Sequence, residues 1–481
     1  MKTARRAAQV RKPRRTTPAG TAPAGTTPVG TTRAGTTRAG TTRAGTAPVA
    51  AATAPAGTLR DVPFMGVIFV VAEAARLGFV NGHPDWCNLG QGQPEVGEMA
   101  GAPPRIQSVE LHAADHAYGP LGGLPELREA VAQHYNRLYR RGKSSLYGAR
   151  NVAVAQGGRL ALSRALAALA PVNVGYQIPD YTAYEDMFDT HLARLSPVAL
   201  CAERDNGFAV SAAQVDRAVR EQGLSALVLS NPCNPTGRVL AGRELAALVG
   251  TARSRNCTLL LDEFYSHFIY AKNRRGEWGP GAGPVSAAAH VEDVERDPVL
   301  LFDGLTKNHR YPGWRVGWMV GPSAMVETIE RVASALDGGP SRIAQRAALL
   351  ALQPATADQE TAAVRTVFAQ KRNLMVAALK DMGVTFAAEP ESTFYAWGCL
   401  SGLPAPLDDA MTFFRRALER KVLTVPGSFF DVNPGRRRRG ESPFRQWMRF
   451  SFGPPRDNLE LGLRRLSEMV AAARTSRRLS P

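Results

Sequence analysis

The chain of 481 residues is long enough for two packed domains, and at 44% apolar and 21% charged it has the composition of a globular protein. Its net charge of +17 is uneven: residues 1–60 hold eleven Lys/Arg and no acid, while the 48 basic and 42 acidic residues beyond leave only +6. A mildly basic body gives little reason to infer nucleic acid, five scattered cysteines without a C-x-x-C pair suggest neither a disulfide framework nor a zinc site, and no apolar run approaches the roughly 18–20 residues of a membrane helix.

Residues 1–58 are a low-complexity basic tail in which Gly-Thr-Thr-Arg recurs three times up to Arg43. With almost no large apolar residue it cannot offset its chain entropy by burial, so disorder is expected. A solvated tail, a start site placed too far upstream, and a targeting or nucleic-acid-binding arm are its three readings. Its Arg/Thr-rich, acid-free composition is similar to an organellar transit peptide, whereas reduced, unpaired cysteines suit a cytoplasmic protein.

The apolar run Phe64–Ala75 reads as a helix docked on the core. Apolar strand-like runs then alternate with helical patterns: Val152–Ala155 before a helix from Arg159, Leu227–Ser230 before one near Arg243–Arg253, then Leu259–Leu261 and Val299–Phe302. That alternation predicts an α/β fold with a mainly parallel sheet, whose ligands sit beyond the carboxyl ends of its strands. After about Ser341 longer helices give way to short strands near Val384–Phe386, Phe394–Trp397 and Met448–Phe452, the pattern of a smaller α+β domain.

The chemistry is carried by the polar segments at the ends of these runs. Ser230-Asn-Pro-Cys-Asn-Pro-Thr-Gly237 comes after the second run, Asp262-Glu-Phe-Tyr265 after the third, and Gly304-Leu-Thr-Lys307 after the fourth, with Pro312-Gly-Trp-Arg315 behind it. In this order the segments resemble the class I/II aminotransferases, the fold-type I pyridoxal-5′-phosphate (PLP) enzymes. The likeness spans roughly residues 62–475 and is strongest from Tyr118 to Arg315.

The resemblance implies a PLP-binding large domain at 111–335 with a seven-stranded sheet, a small domain at 336–481, and a segment 59–110 that joins the small domain. It also implies PLP held as a Schiff base on Lys307, which later shuttles the α-proton. Such a lysine needs a lowered pKa, and the cofactor's ring nitrogen needs an anion beside it, the place of Asp262. Asn234 and Tyr265 correspond to the pair that tunes the ring's phenolic oxygen, and Asn231 to a structural turn residue. Gly157-Gly158, opening a helix after a strand, offer amides to the phosphate; Arg315, Thr306 and Arg159 join them, although Arg159 equally suits an exposed helix start. The family's serine three residues before the lysine is replaced here by Gly304. Tyr181 corresponds to the aromatic that stacks on the ring, and Tyr118 to a tyrosine that reaches the neighbouring subunit's phosphate, implying a homodimer with shared active sites. Arg449 and Gly92, with Asn234, correspond to the grip on the substrate α-carboxylate. Phe64, Met65, Phe394, Tyr395, His309 and Tyr311 are expected to line the pocket by position, and the run Arg436–Arg439, otherwise a solvated loop, could favour an acidic side chain.

The implied reaction moves an amino group from an L-amino acid to a 2-oxoacid. The same scaffold supports elimination, cyclisation, decarboxylation or oxidation of amino acids, because the cofactor carries the chemistry. A PLP-sensing DNA-binding regulator is the third reading; it would need a folded DNA-binding domain that residues 1–58 cannot form.

Overall fold

Runs such as Val152–Ala155 and Leu259–Leu261 are apolar at every position, the pattern of strands covered on both faces. In the computed structural model, which describes residues 66–479, they belong to one seven-stranded sheet. Its strands in chain order are β1 (Val152–Ala155), β2 (Asn173–Ile178), β3 (Ser196–Cys201), β4 (Leu224–Ser230), β5 (Thr258–Asp262), β6 (Val299–Gly304) and β7 (Gly317–Val320). They lie in the order β1-β7-β6-β5-β4-β2-β3, all parallel except β7, which runs antiparallel to β1 and β6. Alternate side chains enter two apolar cores: Leu259 and Leu261 join one, Leu260 the other. The sheet is mainly parallel, as the alternation of runs predicted.

A second, antiparallel sheet contains β8 (Tyr395–Cys399), β9 (Val425–Pro426) and β10 (Trp447–Ser451), in the order β8-β10-β9. Beside it Cys87–Asn88 pairs in parallel with Val422–Leu423, which brings the start of the described chain to its end. The expected strand at Val384–Phe386 does not form; Thr385 makes only an isolated bridge to Cys399. A helix of 29 residues, Pro354–Met382, precedes it, opened by Pro354 and ended by Gly383 at φ 96°, a left-handed cap that glycine adopts without strain.

The helix expected at Phe64–Ala75 is described from Gly66 to Arg76. Phe64, Met65 and the tail 1–58 lie outside the described residues. No described helix is long and apolar enough to cross a membrane.

The site is placed by the parallel strands. Ser230 is in register with Asp262, and Asp262 with Phe302, so the segments after β4, β5 and β6 leave one edge of the sheet together.

Candidate active site

Beyond that edge lies a cleft of about 350 Å³ whose lining includes Gly92, Gly158, Arg159, Tyr181, Asn234, Asp262, Tyr265, Thr306, Lys307, Arg315 and Arg449. Gly157 stands next to it, its α-carbon against Arg315. Residues from near both ends of the described chain, Gly92 and Arg449, thus converge on one space.

Lys307 sits in the turn after β6, half-buried, with its Nζ donating to the Gly92 carbonyl. Burial, together with the guanidinium groups of Arg315, Arg159 and Arg449, pushes its pKa down to about 7, against the pull of Asp262. An amine held there is half neutral near neutral pH and can act as a nucleophile or a base.

Asp262 ends β5 with its carboxylate buried. Its Oδ2 accepts from the Tyr184 hydroxyl at 3.0 Å and its Oδ1 from the Phe264 amide at 3.3 Å. Burial nevertheless raises its pKa to about 6, so it suits a cationic partner in the cleft. Tyr184 is a partner of Asp262 that the sequence motifs did not point to. A signal for it exists: it lies three residues beyond Tyr181 at the start of the helix Ala183–Asp189, one turn along the same face.

Arg449, at the centre of β10 and 1% exposed, is a buried cation with few partners. Its Nη1 donates to Asn234 Oδ1 at 2.9 Å and its Nη2 to the Gly90 carbonyl at 2.5 Å, while its Nε has no partner among the described residues. The guanidinium carbon rests 4.1 Å from the centre of the Tyr395 ring. Tyr395 in turn shares a 2.9 Å hydrogen bond with the Tyr265 hydroxyl, and burial holds both phenols protonated. Arg449 is thus a planar fork that keeps donor capacity for an anion in the cleft.

The residues fit a phosphorylated, aldehyde-bearing ring. Gly157, at φ 87°, caps the helix Gly158–Ala168, whose first residues Gly158 and Arg159 line the cleft. A β-carbon on Gly157 would lie 2.3 Å from Arg315 Nη2, so glycine alone leaves the guanidinium beside the helix start. The Thr306 hydroxyl is buried without a partner among the described residues, a donor in want of an acceptor. Arg159 Nε donates to the Tyr181 hydroxyl at 2.9 Å, fixing the ring that forms one wall. Gly304 has a structural reason: a β-carbon there would come within 2.5 Å of the Val316 carbonyl and 2.7 Å of Gly317 Cα, so no serine fits.

Several expected residues are elsewhere. His309 turns into the core, its ring 5.6 Å from that of His267 and 6.0 Å from that of His134, and burial pushes its pKa down to about 3. Tyr311 stacks on Trp314 at 3.8 Å under the Arg105 guanidinium. Neither lines the cleft. Phe394 packs behind Tyr265 rather than facing the cleft, although its neighbour Tyr395 lines it. Arg436–Arg439 lie on an exposed loop, where Arg438 pairs with Asp431 at 2.7 Å. Tyr118 is 98% exposed and outside the cleft of its own chain. Val67, Ile68, Gln91, Gln93 and Asp186 also line the cleft, and no sequence motif marks them.

The model of one family, aminotransferase class I and II, matches residues 84–466. An aspartate aminotransferase of Streptomyces avermitilis is 28% identical over 406 residues, covering 80% of this chain and 91% of the relative. An aspartate/prephenate aminotransferase of Cereibacter sphaeroides is 28% identical over 367 residues, covering 73% and 85%. Among solved structures, the aspartate aminotransferase from Thermus thermophilus with maleate aligns at a TM-score of 0.68 and 25% identity, covering 85% of this chain and 97% of that one. With a match over most of its length, the chain belongs to the aminotransferase class I and II family and is a PLP-dependent transferase.

Proposed function

We propose that this aminotransferase works through Lys307, Asp262 and Arg449 as its three principal groups. The observation that carries the reading is that a neutralisable amine, a buried carboxylate and a partly unpartnered guanidinium meet in one cleft. PLP, when bound, supplies an aldehyde that captures amines and a ring that takes up the electron pair of the bond broken.

The chain's residues do the rest. Lys307 Nζ would hold the cofactor and, once free of it, would move the substrate's α-proton. Asp262 keeps a proton on the ring nitrogen, and Tyr184 keeps that carboxylate ionised and aimed. Asn234 and Tyr265 donate to the ring's oxygen. The helix-start amides at Gly157 and Gly158, with Thr306, Arg315 and Arg159, hold the phosphate, and Tyr181 covers the ring. Arg449 and the Gly92 backbone orient the α-carboxylate, with Asn234 steadying Arg449. Gly304 removes one hydroxyl from the phosphate site, and Thr306 supplies another nearby.

The reading includes a homodimer in which Tyr118, exposed on its own chain, completes the partner subunit's site, and a cytoplasmic location. It keeps the division into 59–110, 111–335 and 336–481. In its support, the large sheet lies within 152–320, the second sheet within 395–451, and Cys87–Asn88 pairs with Val422–Leu423. The aspartate aminotransferases among its relatives make aspartate the first donor to try.

The test is to mix purified enzyme with one amino acid and no oxoacid. Stoichiometric release of a 2-oxoacid, stopping after one turnover until an acceptor is added, is the expected result. Continued turnover with ammonia or carbon dioxide would overturn the reading.

A further inference from the structure

The three residues after Lys307 are all buried, and none of them lines the cleft. Arg310 is the most constrained. Its guanidinium is fully buried and its backbone is left-handed at φ 56°, a conformation that persists for a bulky residue only when the surroundings over-determine it.

Its fork reaches two other parts of the fold. Nε donates to Glu360 Oε1 at 2.5 Å, on the helix Pro354–Met382, and Nη1 donates to the carbonyls of Glu95 at 3.0 Å and Gly97 at 2.9 Å. Glu360 is itself 2% exposed. Arg105 stands 3.6 Å from Glu360 and donates to the Arg310 carbonyl at 2.9 Å.

Those two carbonyls belong to a segment that matters to the cleft. Residues 90–97 run over Lys307 with Gln91, Gly92 and Gln93 in the lining. The segment is fastened at Gly90 by Arg449 and at Gly92 by Lys307. At Glu95 the side chain pairs with Lys371 at 2.7 Å, and the backbone is held by Arg310. An amine engaged elsewhere cannot also donate to Gly92. When Lys307 is engaged, Arg310 still ties the Lys307 turn to the segment above it.

We propose that Arg310, with Glu360 as its counterion, is a positioning residue that holds residues 90–97 as a roof over Lys307 and so sets the affinity for the amino acid. The proposal rests on the reading that the amino acid's carboxylate lies beneath Gly92. A lysine at 310 would keep the charge, but a single ammonium cannot span a carboxylate and two carbonyls in one plane.

The test compares the holoenzyme with Arg310→Lys, Glu360→Gln and the double variant Arg310→Met/Glu360→Leu. The double variant removes the buried Arg310–Glu360 pair together, leaves Arg105 on the His309 and Arg310 carbonyls and the Tyr311 ring, and carries the test if the single variants misfold. Deuterium uptake in residues 90–97 is expected to quicken about tenfold or more. The saturation constant for the amino acid in the half-reaction should rise about tenfold or more while the limiting rate stays within about threefold. Bound cofactor and its visible spectrum should be unchanged, which separates the clamp from a general loss of structure. Unchanged exchange would overturn the proposal, as would faster exchange with an unchanged saturation constant or a collapse of the limiting rate alone. If the unaltered enzyme turns over no amino acid, the aminotransferase reading falls by itself, and the exchange measurement still decides whether Arg310 holds the roof.

Discussion

Burial, helped by the three arginines Arg315, Arg159 and Arg449 against the pull of Asp262, lowers the pKa of Lys307 to about 7. The neutral amine attacks an aldehyde and the ammonium does not. In the cofactor-free enzyme, capture of PLP should therefore quicken about tenfold per unit as pH rises toward 7 and level off above it. Stopped-flow absorbance across pH 5–9 checks this; a rate still climbing steeply at pH 9 would mean an ordinary lysine. At Asp262 the charge itself is the proposed function. Asp262→Asn keeps the shape but cannot hold a proton on the ring nitrogen, so the half-reaction should slow by about 10²–10³ while cofactor stays bound. Lys307, Asp262, Asn234 and Arg315 are readable in the sequence because each stands at the end of a run or turn whose residues announce it. Val67 and Asp186 are not, since they meet the site only through folding that joins positions scores of residues apart.

At the scale of elements, the strands that seat the site are visible as apolar runs, but β2, β3 and β7 are not. Asn173–Ile178 carries Gln177, and Ser196–Cys201 is an exposed edge, so neither is a uniformly apolar run. The consequence of β7 is felt at Gly304, which lies opposite Gly317 across an antiparallel pair. Gly304→Ser should lower stability by about 1–3 kcal/mol in chemical denaturation, because the added atoms strike backbone, and should not tighten cofactor binding. Gly157 has a different constraint: Gly157→Ala combines a left-handed φ with a β-carbon in the Arg315 guanidinium. Displacing that cation should weaken PLP binding about tenfold in a fluorescence titration while the fold is kept. Comparable affinity in the two proteins would remove Arg315 from the phosphate site. The expectation for His309 and Tyr311 fails for an element-level reason as well: in the turn after Lys307, Asn308 reaches back to Asp303 at 2.9 Å, His309 is buried against His267 and His134, and Tyr311 packs on Trp314 outside the cleft.

For the whole molecule the question is whether one chain makes a complete site. Tyr118 protrudes from a segment whose neighbours are ordered: its carbonyl accepts from Arg342, Gly123 is pressed against Val154, and Gln345 binds the Leu124 amide. A fully exposed aromatic on such a scaffold has little to do within its own chain, whereas a two-fold partner could place it in a second cleft. A shared cleft permits complementation. On the proposed reading, Lys307→Ala should inactivate its own site, and Tyr118→Ala should weaken phosphate binding in the partner subunit's site. Dissociated and reassociated in equal amounts, the two variants form about half hybrid dimers, each with one site carrying both defects and one site intact. At limiting PLP, activity should therefore recover to about one quarter of the unaltered enzyme, although each variant alone is nearly inactive. Recovery would require that Lys307 of one chain and Tyr118 of the other serve the same cleft. Absence of recovery in a sample shown by mass to contain hybrids would confine each site to a single chain.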